Sequence, residues 1–336
     1  MSQPGTPPAS VMVYVGLDRI GDGLLKLPFV QTLRRAFPDA RITWVAGKET
    51  SVYAGIMAPV VKGILDEVIE NAGIGQHPKE FLRRPLPGRR FDLIIDTQRI
   101  VWASLSLKRV PHRLFISSSA RFLLSSRKPP KDYQRPKSML RQLLDLLELA
   151  SGKAFETPAG MDLDLDPALA EEATGLLPEG PVYVGIAPGA GGRPKCWPLQ
   201  NFVAMAKEQT ARRRIPVFVL GPKEIAWKSE LAGAVPEALF PLQEDGVEEA
   251  HHFSPQFTIA LSKRFAACLS NDSGVGHMLA LGGRPLISLY GTTSPEKFRP
   301  MSGCLTIVRA ADFGGEEIER IPVEAVIQAV DKALSA

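Results

Sequence analysis

Short apolar runs separated by polar turns alternate along the chain with segments of helical periodicity. In the first half, a strand, a glycine-rich turn and a helix are followed by further strands, an order typical of a parallel sheet covered by helices. The same order begins again near residue 182. The predicted strands are 11–15, 41–45, 91–96, 182–186, 216–220 and 285–290, and the predicted helices are 24–36, 138–150, 167–177, 201–213 and 322–334. The sequence therefore predicts two successive doubly wound α/β domains facing a cleft, a common place for a ligand.

The length of 336 residues suits two domains that each bury a core. We predict a disordered tail (1–10), an N-terminal domain (11–160), a linker (161–178), a second domain (179–318) and a C-terminal helix (319–336). No apolar run approaches the roughly 20 residues needed to span a bilayer, and the N-terminus does not resemble a signal peptide. Three cysteines without metal-like spacing indicate a reducing compartment. We expect a cytoplasmic protein.

The segment 265–295 carries the strongest indication of a ligand site. It predicts a strand, a polar turn, a helix and a second strand, with Asp272 and Ser273 as helix caps before the small Gly274. His277 follows one turn later. Free N–H groups at a helix start suit an anion, most often a phosphate. The alternative is a capped helix with His277 as a core residue, but a second polar loop at 291–295, at the same sheet edge, favours a ligand site.

A glycine-rich loop follows the first strand of the second half. It contains Ala190 and Gly191 and ends at Lys195, just before a Trp-Pro pair and a helix. Glycines let a backbone approach a phosphate closely, and a lysine neutralises diphosphate charge. The ending of a Walker A loop is absent. We therefore predict a second phosphate contact here, with a solvent-exposed loop as the alternative.

The first strand-to-helix turn places Asp22 between two glycines. Such a carboxylate is either a helix N-cap or, at the mouth of a cleft, a general base. The glycine spacing does not match a dinucleotide-binding fingerprint, which argues against a nicotinamide cofactor.

Asp162, Asp164 and Asp166 alternate with single residues, and this alternation matches the aspartate motif of metal-dependent sugar transferases. They precede a predicted helix that Asp166, followed by proline, would cap. We interpret the pattern as a linker and a helix cap, and predict no metal site.

The positive charge is concentrated between residues 76 and 135, which hold 14 Lys/Arg against 4 Asp/Glu. The stretch includes Lys108, Arg109 and Arg113. It is either a solvated surface or an attractor of nucleic acid, acidic lipid headgroups or a phosphorylated substrate. Few aromatic residues accompany these charges, so we expect no nucleic-acid partner.

Three motifs occur in one order: residues 19–22 before an amphipathic helix, the loop 188–198 with Lys195, and the segment 271–277 continuing to 290–295. Together they resemble glycosyltransferase family 9, the ADP-heptose:lipopolysaccharide heptosyltransferases. The likeness runs from about residue 12 to residue 300 and into the terminal helix. It implies a GT-B fold, in which two Rossmann-like domains bind the acceptor (N-terminal domain) and the nucleotide-sugar (C-terminal domain).

The resemblance also implies roles for single residues. Asp22 would be the general base in an inverting transfer, and Lys195 with the backbone of Ser273 and Gly274 would stabilise the leaving diphosphate. Ala190, Gly191, Asp272 and His277 would line the donor pocket, Glu224 would reach the ribose, and Arg19, Gly21, Lys108, Arg109 and Arg113 would face the acceptor. No cofactor or metal is implied. The implied partners are a nucleotide-sugar, an anionic glycolipid and the cytoplasmic face of the inner membrane.

Three departures from the family pattern leave alternatives open. The segment between Ala190 and Lys195 resembles the second-heptose subgroup more than the first. Ser273 stands where many members have threonine, and Thr292 stands where proline is usual. A transferase for another nucleotide-sugar or acceptor is one alternative, and a non-catalytic nucleotide-sugar-binding protein is another. An epimerase or dehydrogenase of the same fold class is disfavoured by the missing dinucleotide fingerprint. The sequence does not predict the oligomeric state.

Overall fold

The computed structural model describes residues 6–75, 77–158, 160, 161, 163–244, 247, 251 and 253–335. The chain divides into two compact units, Met1–Thr157 and Pro158–Ala336. Each unit contains its own five-stranded sheet, and every strand pair in both sheets is parallel.

The first unit has the sheet order β3-β2-β1-β4-β5, so its strand order reverses between β1 and β4. Its strands are β1 (Ser10–Val15), β2 (Arg41–Ala46), β3 (Glu67–Ile69), β4 (Phe91–Asp96) and β5 (His112–Ser117), and its α-helices are α1 (Ile20–Ala36), α2 (Val101–Leu107) and α3 (Met139–Ser151). The central strands are continuous apolar runs because both faces of the sheet are covered. Ser138 caps α3 by accepting from Arg141 N–H, and Gly152 ends it in the left-handed conformation.

The second unit has the order β7-β6-β8-β9-β10, which reverses between β6 and β8. Its strands are β6 (Tyr183–Ala187), β7 (Ile215–Phe218), β8 (Ala267–Asn271), β9 (Leu286–Tyr290) and β10 (Leu305–Arg309). Its helices are α4 (Pro167–Leu176), α5 (Leu199–Ala211), α6 (Lys228–Ala234), α7 (Pro255–Ser262), α8 (Gly274–Ala280), α9 (Pro295–Phe298) and α10 (Val323–Ser335). One core lies against α5 and α10 and the other against α4 and α7, on the two faces of the sheet.

Three of the differences from the predicted boundaries change how the chain is divided or where a site residue lies. Ser10, predicted as the end of the disordered tail, belongs to β1. The Asp92 carboxylate holds it there by accepting hydrogen bonds from the N–H groups of Ala9 and Ser10. Residues 1–5 of the predicted tail lie outside the described residues. The helix predicted inside the linker, α4, belongs to the second unit, because its Ala173 is buried in the core of that unit. Helix α1 begins at Ile20, four residues before the predicted start. Asp22 therefore lies within its first turn, and the N-cap interpretation of Asp22 is wrong.

No helix in the part of the chain that the structure describes has both the length and the apolar character needed to cross a membrane.

A buried carboxylate ends β4. Asp96 is fully buried, and it accepts hydrogen bonds from the Ser104 and Ser117 hydroxyls and from Gln98 N–H. Burial raises the pKa of Asp96 to about 6, although the three hydrogen bonds act in the opposite direction. The native state therefore keeps a proton on Asp96 at pH values where the unfolded chain has lost it.

This difference predicts how stability changes with pH. The contribution of Asp96 to the free energy of unfolding falls as pH rises from about 4 to about 6, by about 2–3 kcal/mol in total. Asp96→Asn removes the titrating group, so urea unfolding of the variant should lack this fall. Asp92→Asn is a control in which the dependence of stability on pH has the opposite sign. Burial acts to raise the pKa of Asp92, but hydrogen bonds from the N–H groups of Ala9 and Ser10 lower it. An unchanged pH profile in Asp96→Asn would contradict the prediction.

Candidate functional site

An asparagine joins two loops at the point where the strand order of the second unit reverses. Asn271 is the last residue of β8 and is fully buried. Its side-chain N–H donates to Pro188 O at 2.8 Å, and its side-chain oxygen accepts from Trp197 N–H at 3.1 Å. The Trp197 indole in turn donates to Ile321 O at 2.9 Å. The glycine-rich loop is thereby held at both ends against the carboxyl end of β8. The sequence analysis included Asn271 in the motif 271–277 but assigned it no role; the signal was a polar residue that ends an apolar strand.

Lys195 and Asp272 meet at this position, although they are 77 residues apart in the sequence. Lys195 Nζ lies 2.8 Å from Asp272 Oδ2; the lysine side chain is 38 % exposed and the aspartate 8 %. A nearly buried carboxylate paired with a half-exposed ammonium leaves positive charge on the solvent side. The structure thus brings together two residues that the sequence analysis assigned to one donor site.

Ser273, and not Asp272, caps the short helix α8. The Ser273 hydroxyl accepts from Gly276 N–H at 3.2 Å, and Gly274 is the first helical residue. A Cβ on Gly276 would come within 2.6 Å of Ser270 Oγ, so glycine allows the helix to approach β8. His277 is buried. The predicted Ser273 cap is confirmed, while Asp272 serves as the partner of Lys195.

The Glu224 side chain packs against the glycine-rich loop. A Cβ placed on Gly189 would lie 2.5 Å from the Glu224 carboxyl carbon, and one on Gly221 would lie 2.8 Å from Glu224 Oε2. Two glycines therefore make room for this side chain. Burial raises the pKa of the Glu224 carboxyl above its usual value. Ala190 and Gly191 continue the same loop at increasing exposure. These three predicted donor-binding residues thus belong to one neighbourhood.

Two hydroxyl side chains lie at the end of β9 and in the loop that follows it. Burial, with the charge of Asp272, raises the pKa of Tyr290 at the end of β9. Thr293 Oγ1 is buried and has no hydrogen-bond partner among the described residues. Tyr290 OH likewise has no hydrogen-bond partner among the described residues, and buried hydroxyls of this kind are uncommon. The sequence analysis pointed to this loop but not to Thr293.

In the first unit, the loop before α1 is fixed by a buried aspartate. Asp18 forms an ion pair with Lys26 at 3.0 Å and accepts hydrogen bonds from Trp44 Nε1 at 2.8 Å and Ser51 Oγ at 2.7 Å. Tyr53 OH donates to Gly23 O at 2.6 Å, which holds the first turn of α1. A network of buried contacts therefore determines the position of this turn.

Asp22 lies in that turn, beside Gly21 and close to the exposed Arg19. Its side chain is half-buried, and no described residue forms a hydrogen bond or an ion pair with its carboxylate. Asp22 thus lies at the carboxyl edge of β1, in the first turn of α1.

The structure does not bring the other predicted acceptor residues to Asp22. Arg113 is the second residue of β5, next to the amino end of β4, and it donates to Thr6 O at 2.8 Å. Lys108 and Arg109 follow the carboxyl end of α2 and donate to Leu124 O and Arg83 O, each at 3.1 Å. Because β1 is parallel to β4 and β5, Asp22 and Arg113 lie at opposite edges of the sheet.

The helix cap predicted at the end of the aspartate triplet is confirmed. Asp166 caps α4 by accepting from Ala168 N–H at 3.0 Å. Asp162 lies outside the described residues. Within the described ranges, no group of three or more His, Cys, Asp or Glu side chains is arranged to hold a metal ion.

Comparison with known proteins gives consistent results. The model of the family "Glycosyltransferase family 9 (heptosyltransferase)" matches residues 81–321. Lipooligosaccharide heptosyltransferase 2 of Haemophilus influenzae is 27% identical over 316 residues, covering 89% of this chain and 88% of that protein. Among solved structures, the Escherichia coli ADP-heptose lps heptosyltransferase II has a TM-score of 0.67 at 19% identity and covers 97% of this chain and 98% of its own. The E. coli heptosyltransferase WaaC, solved with ADP, has a TM-score of 0.66 at 19% identity, with 96% and 99% covered. These likenesses confirm the predicted GT-B fold class.

Proposed function

Because the chain belongs to glycosyltransferase family 9 (heptosyltransferase), we propose that it moves a heptose from ADP-heptose to an acidic inner-core acceptor of lipopolysaccharide, with inversion at the transferred carbon. Family membership makes the protein a glycosyltransferase. The donor base, the sugar and the acceptor are the parts that we propose.

The observation that carries the proposal is the Lys195–Asp272 pair beside the glycine-rich loop. A nucleoside diphosphate presents two negatively charged phosphates, and a half-exposed ammonium next to backbone N–H groups suits such a ligand. Glu224, lying across Gly189 and Gly221, would accept hydrogen bonds from the ribose hydroxyls. The names of the similar proteins support ADP-heptose as the donor and a lipopolysaccharide as the acceptor.

The proposed reaction is a direct displacement. An acceptor hydroxyl attacks the anomeric carbon, its proton passes to the Asp22 carboxylate, and the bond from that carbon to the phosphate oxygen breaks with its electron pair on ADP. Lys195 would stabilise the charge that develops on the leaving diphosphate, together with the N–H groups around Ser273 and Gly274. His277 and Asp272 would line the donor site.

We propose no metal in this step and no role in it for Lys108, Arg109 or Arg113. Lys195, and not a metal, would neutralise the charge of the leaving diphosphate. On the acceptor side, Arg19 and Gly21 are the neighbours of Asp22 in the same turn and would contact the acceptor.

Nucleotide selectivity tests the donor. Calorimetric titration of the full chain with ADP, UDP, GDP and NAD, without added metal, should give ADP the lowest Kd. Incubation with ADP-heptose and an inner-core acceptor should then release ADP. A preference for UDP or GDP would replace the proposed donor, and binding of NAD alone would contradict the proposed transfer.

A further inference from the structure

Helix α1 begins without a side-chain cap. Its N-cap residue, Arg19, makes no side-chain hydrogen bond to the first turn, although this turn carries Asp22. Caps normally fix a helix start by bonding the free N–H groups of the first turn, and α3, α4, α7 and α8 each have one. The position of the Asp22 turn therefore depends on other contacts.

Lys26 supplies such contacts by reaching back from the second turn of α1 to the segment before the helix. Its ammonium donates to Leu17 O at 3.2 Å and pairs with Asp18 Oδ1 at 3.0 Å. The other oxygen of the Asp18 carboxylate accepts from Trp44 Nε1 and Ser51 Oγ. These contacts connect the turn between β1 and α1 to α1 itself, to β2 and to the segment that follows β2.

Both charges of this ion pair are removed from water. The side chains of Lys26 and Asp18 are 6 % and 0 % exposed. The loss of hydration of a buried ion pair often outweighs its attraction, and apolar side chains of similar volume often give equal or higher stability. Stability alone therefore does not account for a lysine at this position. An apolar side chain would fill the same space without holding Leu17 O or the Asp18 carboxylate.

Asp18 also determines what Lys26 does not bind. Lys26 follows Asp22 by one helical turn, so the two side chains lie on the same face of α1, where ion pairs commonly form. The ammonium pairs instead with Asp18, and no described residue forms an ion pair or a hydrogen bond with the Asp22 carboxylate. Asp18 thus leaves Asp22 free of this neighbouring cation.

We propose that Asp18 and Lys26 are positioning residues for the sugar transfer: their buried ion pair fixes the turn that carries Asp22 and keeps the Lys26 ammonium from neutralising the Asp22 carboxylate. The proposal rests on Asp22 as the proton acceptor. A carboxylate paired with an ammonium accepts a proton less readily. A displacement of about 1 Å in a reacting group can lower a rate about a hundredfold. Both residues act through Asp22 and not on the substrate.

The double variant Asp18→Asn/Lys26→Met tests the positioning role, because it removes both buried charges and nearly preserves the volume of the side chains. Thermal unfolding should show a folded protein. The Kd for ADP and the KM for the donor should be unchanged, since the proposed donor residues belong to the second unit. The kcat, counted per ADP-binding site, should fall by about tenfold to a hundredfold.

The single variant Asp18→Asn tests the second part of the proposal. It releases the Lys26 ammonium, which can then pair with Asp22, so kcat should fall further than in the double variant. Adding Lys26→Met to Asp18→Asn should therefore raise kcat. Ser51→Ala, which removes one hydrogen bond to Asp18 and leaves both charges in place, is the milder variant for the case in which the others do not fold. It should lower kcat by a smaller factor.

The same changes made in Asp22→Asn show whether the ion pair acts through Asp22. With the proton acceptor already replaced, none of them should lower kcat further. Arg34→Met/Asp66→Asn is the matched control, because Arg34 in the last turn of α1 pairs with Asp66 at 2.6 Å in the same unit. Its kcat per ADP-binding site should equal that of the unaltered protein.

Unchanged kcat in Asp18→Asn/Lys26→Met or, where that variant does not fold, in Ser51→Ala overturns the proposal. An equal loss of kcat with Asp22 present and replaced overturns it as well, as does a similar loss in the Arg34→Met/Asp66→Asn control. If Asp22→Asn itself keeps full turnover, the assignment of the proton acceptor fails, and the positioning role fails with it. The two failures are distinguishable, because only the second leaves Asp22→Asn active.

Discussion

Asp22→Asn is expected to lower kcat by about 10²–10⁴-fold while leaving the Kd for ADP unchanged. The amide keeps the shape of the side chain but does not accept the proton of the attacking hydroxyl. Donor affinity should be preserved because the proposed donor residues all belong to the second unit and Asp22 belongs to the first. ADP release under saturating donor and acceptor measures kcat, and calorimetry measures the Kd.

The matched control for this variant is Glu324→Gln. Glu324 is an exposed carboxylate in the first turn of α10. Its neutralisation removes a favourable charge from a helix start, as Asp22→Asn does, and such a charge contributes about 0.3–1 kcal/mol to stability. Its kcat should equal that of the unaltered enzyme. Full turnover in Asp22→Asn would assign the proton acceptor to another group and would remove Asp22 from the mechanism.

Lys195→Ala is expected to weaken ADP binding by about tenfold to a hundredfold, equivalent to about 1.5–3 kcal/mol for a charge-assisted contact. Two effects combine in this variant. The ammonium that attracts the diphosphate is lost, and the nearly buried Asp272 carboxylate is left unpaired close to the same anion. Arg193→Ala, which removes an exposed cation two residues earlier in the same turn, should change the Kd little.

A double-mutant cycle separates the two effects. Adding Asp272→Asn to Lys195→Ala removes the unpaired carboxylate, so the double variant should bind ADP more tightly than Lys195→Ala alone. Calorimetry on the four proteins gives the coupling free energy. If the double variant binds ADP no more tightly than Lys195→Ala alone, the carboxylate does not oppose the diphosphate, and the ion pair has a purely structural role.

Most of the fold could be predicted from the sequence because the central strands are buried on both faces and appear as uninterrupted apolar runs. The strands without a prediction, β3, β5 and β10, are all edge strands. β3 has three half-buried residues, and β5 and β10 carry exposed polar residues that interrupt the pattern. An edge strand needs less apolar surface than a central one, so its sequence is harder to distinguish from a loop.

Some members of the candidate site could be named from the sequence, but their arrangement could not. Lys195 and Asp272 were each assigned to the donor site, yet no sequence spacing could show that they form an ion pair. Arg113 was grouped with Asp22 by charge alone. Because α2 returns the chain to the amino edge of the sheet before β5 begins, the structure separates these two residues.

The hydrogen bonds of Asn271 have a consequence for the thermodynamics of nucleotide binding. They fix the glycine-rich loop through a fully buried amide, so the loop loses its conformational freedom when the chain folds and not when a ligand arrives. A preorganised loop of this kind lowers the entropy cost of association. We therefore expect the proposed nucleotide to bind the second unit with an association rate that rearrangement of the two loop ends does not limit.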